Sequence, residues 1–121
     1  MIVICLPWPE VKLSPNQRQH WSVTGKAKAS YRFACEVVTL GNRTATVPDG
    51  PLSLSLVFCP PTKRSYDRDN LATRMKAGLD GMCDALGFDD SRFAVVTVRV
   101  IPSEGKPGRV IVTIVRDDGT Q

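Results

Sequence analysis

The segment from Leu71 to Leu86 constrains the fold of this chain most, because its apolar residues recur at helical spacing. Leu71, Met75, Leu79, Met82 and Leu86 are separated by four, four, three and four positions. Each residue of an α-helix advances by about 100°, so these side chains form one stripe along one face. The segment therefore predicts a long helix that buries this stripe against another layer of structure.

Strand-type segments before and after this helix supply that layer. LSLSLVF (Leu52–Phe58) alternates apolar and polar residues, and FAVVTVRVI (Phe93–Ile101) and RVIVTIV (Arg109–Val115) are rich in β-branched residues. The opening MIVICL predicts a further strand that ends at Pro7. A loop rich in Gly and Pro joins the last two strands, which favours a β-hairpin between them.

A second helix is predicted from residue 25 to about residue 40, where Ala29, Phe33 and Val37 follow helical spacing. Residues 14–24 have no regular period and predict a loop. The resulting order of elements is strand, helix, strand, helix, strand and strand.

Length and composition indicate one folded domain. A chain of 121 residues can bury one core and is too short for two, so a single domain over residues 1–121 is predicted. Its 42% hydrophobic and 23% charged residues argue against disorder. No apolar run approaches the roughly 20 residues of a membrane helix, and the apolar start lacks the basic leader of a signal peptide. A cytoplasmic protein without a membrane partner is expected.

The cysteines are expected to be reduced in the cytoplasm. Cys5, Cys35, Cys59 and Cys83 are far apart and have apolar neighbours. Because metal sites usually contain closely spaced ligand pairs, we interpret all four as small buried hydrophobic residues.

Acidic residues are concentrated in the helical segment of a chain that is basic elsewhere. Residues 67–90 contain six of the 12 acidic and three of the 16 basic residues, which leaves 13 basic and six acidic residues outside them. An enzyme that holds a divalent cation and attracts a polyanion needs such a distribution. The distribution also fits a solvated acidic helix face on a mildly basic domain.

Two aspartates stand at the start of this segment. Asp67 and Asp69 are one residue apart, and in an extended lead-in they point the same way, so both can bind one cation. Asp69 and the following Asn70 occupy the position expected for a helix N-cap. The alternative to a cation site is that Asp69 only caps the helix and Asp67 is a solvated loop residue. Asp80 lies about 16 Å further along the axis than Asp69, so those two cannot share an ion.

Lys76 and a second acidic pair are further candidates. Lys76 lies on the polar face of the predicted helix, and its alternative is an ion pair with Asp80 worth at most about 0.3 kcal/mol. Asp89 and Asp90 follow a glycine that predicts the end of the helix. They are either solvated turn residues or fold back toward the first acidic pair.

The motifs DRDNL and KAGLDGMCDALGFDD occur in this order between Asp67 and Asp90. They resemble the RusA family of Holliday junction resolvases, with its Asp-x-Asp-Asn-Leu motif, its helical lysine and its later Asp-Asp pair. The opening ICLPWPEVKLSPNQR is similar to the family's first strand, Leu-Pro-x-Pro motif and Asn-Arg loop. The resemblance extends over most of the chain. It implies a small two-layer α+β fold, with two main helices on a mixed sheet, that forms a homodimer.

The resemblance also implies the roles of individual residues. Asp67, Asp69 and Asp90 correspond to metal-binding and catalytic carboxylates, Lys76 to a catalytic lysine, and Asp89 to a less essential neighbour. Three carboxylates suit Mg²⁺ or Mn²⁺, which activates water for phosphodiester hydrolysis. The implied activity is a pair of nicks in a four-way DNA junction, one at each centre of the dimer. The interval from Asp69 to Lys76 is about one helical turn longer than in the best-known member of the family.

Basic residues outside the acidic segment are expected to bind DNA phosphates, with an affinity that falls steeply with salt. They are Arg18, Lys26, Lys28, Arg32, Lys63 and Arg64. His20 is able to stack on a base, but we interpret it as structural. We interpret Trp8, between two prolines, as a packing anchor rather than a wedge between bases.

Other classes of protein stay open at this point. A branched-DNA-binding module without catalysis would keep the basic residues but has no need of Asp67, Asp69, Lys76 and Asp90 together. A metal-dependent nuclease for flaps, replication forks or RNA would keep both sets. A structural interaction protein would bind no divalent ion.

Overall fold

The structure is a computed structural model that describes residues 1–15, 20–42 and 46–118. Its elements, in chain order, are β1 (Ile2–Pro7), a first 3-10 helix (Val11–Leu13), α1 (Trp21–Gly41), β2 (Leu52–Cys59), α2 (Arg68–Arg74), α3 (Lys76–Leu86), a second 3-10 helix (Asp90–Arg92), β3 (Phe93–Val100) and β4 (Arg109–Arg116). Helices combined with a mixed sheet confirm the α+β class. None of the helices in these ranges is long and apolar enough to cross a membrane.

The strands form a mixed sheet in the order β1-β4-β2-β3. Strand β4 is antiparallel to β1 and β2, whereas β2 and β3 run parallel. The predicted hairpin between β3 and β4 is wrong, because β2 lies between them. The helices after β2 return the chain to the end of the sheet where β2 began, so β3 runs parallel to β2. Strand β4 takes a central position, where Val110, Val112 and Ile114 are fully buried.

The helices cover one face of this sheet, so alternate strand residues lie in the core. In β1, Ile2, Ile4 and Leu6 are buried, while Val3 and Cys5 between them are exposed. The prediction that all four cysteines are buried is therefore wrong for Cys5, which the alternation places on the face opposite the helices. The other three are buried, and all four are free thiols.

Helices α2 and α3 together occupy the segment that was predicted as one helix. They meet at Met75, whose backbone stays helical (φ −75°, ψ −17°). Hydrogen bonds continue across it, from the N–H of Met75 to Leu71 O at 3.2 Å and from the N–H of Leu79 to Met75 O at 2.8 Å. The predicted apolar stripe faces the core, with Leu79 only partly buried. As predicted, Gly87 ends α3, in the left-handed conformation (φ 83°).

Helix α1 begins at Trp21, within the segment that was predicted as a loop. The earlier start follows from His20, whose Nδ1 caps the helix by accepting a hydrogen bond from the N–H of Ser22 at 3.1 Å. The centroids of the His20 and Trp21 rings are 5.3 Å apart. His20 thus has a structural role in the fold.

The face of α1 that packs on the core carries Tyr31, Cys35 and Thr39. The apolar residues whose spacing predicted this helix lie on its outer face instead, where Phe33 is 67% and Val37 is 50% exposed. The spacing therefore identified the helix but not its buried side.

Glycines of α3 let α1 pack closely against it. A methyl group on Gly81 would collide with the backbone carbonyl of Arg32, and one on Gly78 would lie 2.8 Å from the Sγ of Cys35. Close packing also buries Tyr31, which raises the pKa of its phenol. The two helices therefore form one closely packed layer over the sheet.

Candidate active site

The first acidic pair lies where the loop after β2 enters α2. Asp67, rather than the predicted Asp69, is the N-cap, because its Oδ1 accepts hydrogen bonds from the N–H groups of Asp69 at 2.8 Å and Asn70 at 3.2 Å. Asp69 lies in the first turn of α2, where the positive end of the helix stabilises a carboxylate. Both carboxylates belong to exposed residues.

Asn70 joins α2 to residues 8–15 after β1, which we call the opening loop. Its Nδ2 donates to Ser14 Oγ at 2.8 Å, and its Oδ1 accepts a hydrogen bond from Nε of Arg74 at 2.9 Å. Arg74 also donates from Nη1 to the carbonyl of Pro9 at 3.4 Å. These bonds hold the opening loop beside α2.

Trp8 contributes to the same arrangement by packing. Its ring makes edge-on contacts with Phe58, at a centroid distance of 6.0 Å, and with Tyr66, at 5.4 Å. This aromatic cluster fixes the end of β1 to the loop that leads into α2. Trp8 therefore acts as the packing anchor that its flanking prolines indicated.

A cleft of about 460 Å³ lies between the opening loop, α1 and the polar face of α2 and α3. Thr73, Lys76 and Asp80 line it together, which confirms the polar stripe predicted opposite the buried one. Lys28 lines it from α1. The Oγ1 of Thr73 donates to Asp69 O at 3.0 Å, so the first acidic pair lies one helical turn from the cleft.

The alternative role of Lys76, an ion pair with Asp80, is not formed. Asp80 lies instead 3.9 Å from Nη1 of Arg32, and Nη2 of Arg32 pairs with Asp84. Lys76 is exposed and makes no ion pair within the described part of the chain. Its ammonium group can therefore meet an anion in the cleft, whereas Arg32, a predicted DNA contact, joins α1 to α3.

The second acidic pair lies at the far end of α3. Asp89 caps the second 3-10 helix by accepting a hydrogen bond from the N–H of Ser91 at 2.9 Å. Hydrogen bonds from the side chain and then the backbone of Ser91 hold the pKa of Asp89 below its ordinary value. Burial, followed by the charge of Asp90, raises the pKa of the Cys83 thiol to about 12. Asp90 is thus a neighbour of the last turns of α3.

Asp90 and Asp69 therefore lie toward opposite ends of the helical layer. The nearly continuous helix from Asp69 to Leu86 rises by about 26 Å. It carries the chain from the C-terminal end of β2 back to its N-terminal end, where the parallel strand β3 begins. Within one chain Asp90 does not fold back toward Asp67 and Asp69. No group of three or more His, Cys, Asp or Glu side chains in residues 1–15, 20–42 and 46–118 is arranged to hold a metal ion.

Other predicted DNA contacts lie near the C-terminal ends of β1 and β2. Lys63 and Arg64 are exposed in the loop before α2, and the guanidinium of Arg64 lies 5.6 Å from the centroid of the Tyr66 ring. Lys26 lines a second cleft, of about 440 Å³, between the opening loop and α1. Arg18 falls outside the described residues.

Arg74 is the residue of this region that the sequence did not identify. Only 8% of it is exposed, and it lines the cleft together with Lys76. Burial lowers the pKa of Arg74 from its ordinary value, and among the described residues it pairs with no carboxylate. Its burial could have been expected from its position next to Met75, because a basic residue that borders the apolar stripe of a helix is often partly buried.

The sequence is similar to that of a protein from Xylella fastidiosa. No protein-family model matches the chain. The chain is 41% identical over 115 residues to an uncharacterized protein of Xylella fastidiosa strain Temecula1, and this similarity covers 92% of the chain and 74% of that protein. The chain therefore belongs to the same protein family as this Xylella fastidiosa protein.

Proposed function

We propose that the protein is a Mg²⁺-dependent, structure-specific endodeoxyribonuclease that resolves four-way DNA junctions by paired phosphodiester hydrolysis. It acts in the cytoplasm as a homodimer, and Mn²⁺ can replace Mg²⁺. Asp67, Asp69, Lys76 and Asp90 are its catalytic residues, and the three aspartates are its metal ligands.

The observation that best supports this function is the position of Lys76. It is exposed, lines a cleft that begins one helical turn from Asp69, and has no carboxylate partner in the described part of the chain. An unpaired ammonium group on the helix face that carries Asp69, about 10 Å further along the axis, suits a phosphodiester, whose negative charge it can position and stabilise. Lys63 and Arg64 precede the same carboxylates and supply sequence-independent attraction for DNA.

A three-aspartate ion site does not fit within one chain, because the helix that separates Asp69 from the second acidic pair is about 26 Å long. Asp67 and Asp69 lie together at one end of this layer. A second copy of the chain must then bring its own Asp90 to them. A two-fold dimer makes this contact twice and so creates two equivalent centres, as paired cleavage requires.

The function is tested by cleavage of a synthetic four-way DNA junction with and without Mg²⁺. Asp69→Asn removes a charge from the first acidic pair, and Asp84→Asn is the matched control in the same acidic segment. We expect paired, Mg²⁺-dependent nicks from the wild type and the control, and a rate lowered at least about 100-fold in Asp69→Asn with junction binding retained.

Each other outcome identifies a different class of protein. Binding without cleavage by the folded wild type would indicate a branched-DNA-binding module. Faster cleavage of flaps, forks or RNA than of the junction would indicate a related nuclease. Absence of both DNA binding and divalent-ion binding would indicate a structural interaction protein.

The shared centre is tested by mixing Asp69→Asn with Asp90→Asn, each inactive alone. A mixed dimer keeps one intact centre if the Asp90 ligand comes from the other copy. We expect the mixture to regain nicking and to bind Mn²⁺ at about a quarter of the wild-type number of sites, because half of the dimers are mixed. A mixture as inactive and as free of Mn²⁺ as its components would contradict the shared centre.

A further inference from the structure

We propose that the cleft between α1 and the polar face of α2 and α3 is a binding site for a single phosphate group, held by Lys28, Arg74 and Lys76. This inference deepens the function proposed above, because it assigns the place of one backbone phosphate of the DNA. It depends on that function only for the source of the phosphate.

The charges of the cleft favour an anion. Lys28, Arg74 and Lys76 line it, and Asp80 is the acidic residue among the described lining residues. Asp80 already lies 3.9 Å from Nη1 of Arg32, so its charge is partly balanced from outside the cleft. The two lysines make no ion pairs within the described ranges, and both are exposed. The cleft therefore carries an excess of positive charge.

Arg74 distinguishes this cleft from an ordinary basic surface. Only 8% of the residue is exposed, and its described hydrogen-bond partners, the amide of Asn70 and the carbonyl of Pro9, are both neutral. Guanidinium groups stay protonated even when buried, and an uncompensated buried charge is costly. A phosphate in the cleft supplies the missing counter-charge.

The arrangement of these cations also limits the size of the ligand. Lys28 approaches from α1, whereas Arg74 and Lys76 are two residues apart on the opposite side. Three cations around a cleft of about 460 Å³ suit one phosphate with its attached sugar better than a bare halide or a carboxylate. The ligand class is therefore a phosphate monoester or diester.

The first experiment is titration with inorganic phosphate, followed by amide NMR shifts in the wild type, Lys28→Gln and Lys76→Gln. Lys106→Gln is the control, because Lys106 is an exposed lysine that does not line this cleft and is not among the predicted DNA contacts. We expect saturable shifts at Thr73 and Ala77 of the cleft wall. Affinity should fall about 10-fold in each cleft variant and less than about 2-fold in the control.

The second experiment measures binding of a short DNA duplex by the same variants and by the double variant Lys28→Gln/Lys76→Gln. Two lysines that hold one phosphate are energetically coupled, so the double variant should lose less affinity than the product of the two single losses. Lys106→Gln shows how much DNA affinity is lost when a lysine outside the cleft is replaced. An equal far-ultraviolet circular dichroism spectrum for every variant excludes unfolding as the cause.

The phosphate titration needs neither a junction nor Mg²⁺, so its result is independent of the proposed nuclease activity. Shifts spread evenly over the basic surface, or an equal loss of phosphate affinity in Lys106→Gln, would overturn the phosphate site even if junctions are cleaved. Saturable phosphate binding without junction cleavage would support the phosphate site and would contradict only the proposed nuclease activity. Cleft variants that lose phosphate but keep full DNA affinity would assign the site to a free phosphate compound instead of DNA.

Discussion

The two acidic pairs at the ends of the helical layer have the same composition and similar local structure but different surroundings. Asp67 caps α2 and Asp89 caps the second 3-10 helix, each by accepting a hydrogen bond from the N–H two residues later. The first pair adjoins the cleft lined by Lys28 and Lys76, whereas the second adjoins the end of α3 around Cys83. Capping geometry alone therefore does not distinguish a candidate active-site carboxylate from a structural one. The elements packed around each pair make the difference.

The largest effect on stability is expected at Gly81, in the helix between the two pairs, where α3 packs closely against α1. A methyl group there would meet the backbone carbonyl of Arg32, which cannot rotate away, so Gly81→Ala should lower the free energy of unfolding by about 3 kcal/mol. Gly25→Ala, with open space around it on α1, should raise it by up to about 1 kcal/mol. Urea denaturation measures both. A neutral Gly81→Ala would show that α1 and α3 are not closely packed.

A smaller effect is expected at the cap of the first pair. Asp67→Ala leaves two N–H groups at the start of α2 without their acceptor and should cost about 1 kcal/mol of unfolding free energy. Asp69→Ala removes only an interaction with the helix dipole and should cost about 0.3 kcal/mol. Thermal unfolding of the two variants compares them directly. The reverse order would return the capping role to Asp69, as the sequence alone predicted.

The smallest effect is expected at the second pair and depends on pH. The hydroxyl and then the N–H of Ser91 hydrogen-bond to Asp89, so the pKa of this carboxyl is lower in the folded than in the unfolded protein. Its contribution to stability is therefore present above the unfolded pKa of about 3.9 and is lost as the pH falls through the folded pKa. Ser91→Ala should raise the pKa of Asp89, as measured by ¹³C NMR titration of the carboxyl. Because the backbone N–H remains in Ser91→Ala, an unchanged pKa would show that the Ser91 hydroxyl does not hydrogen-bond to Asp89 in solution.

The sequence by itself determined the features that depend on local spacing. The stripe that includes Leu71 and Met82 predicted the helical segment and its buried side, and Gly87 predicted its end. The strand positions followed from alternation and from proline. The polar face that carries Lys76 and Asp80 followed from the same helical angle. These features were predictable because helical rotation and strand alternation act between residues that are close in the chain.

Only the tertiary structure decided which of these features meet. It placed β4 between β1 and β2, brought Lys28 of α1 to the cleft with Lys76, and buried Arg74 in its wall. It also separated Asp90 from the first acidic pair, although the motif contains them in one short segment. The order of the strands and the contacts of the helices depend on the apolar surface buried over the whole sheet. The spacing of residues along the chain does not contain this information. For this reason the sequence identified the candidate residues, while the fold determined their neighbours.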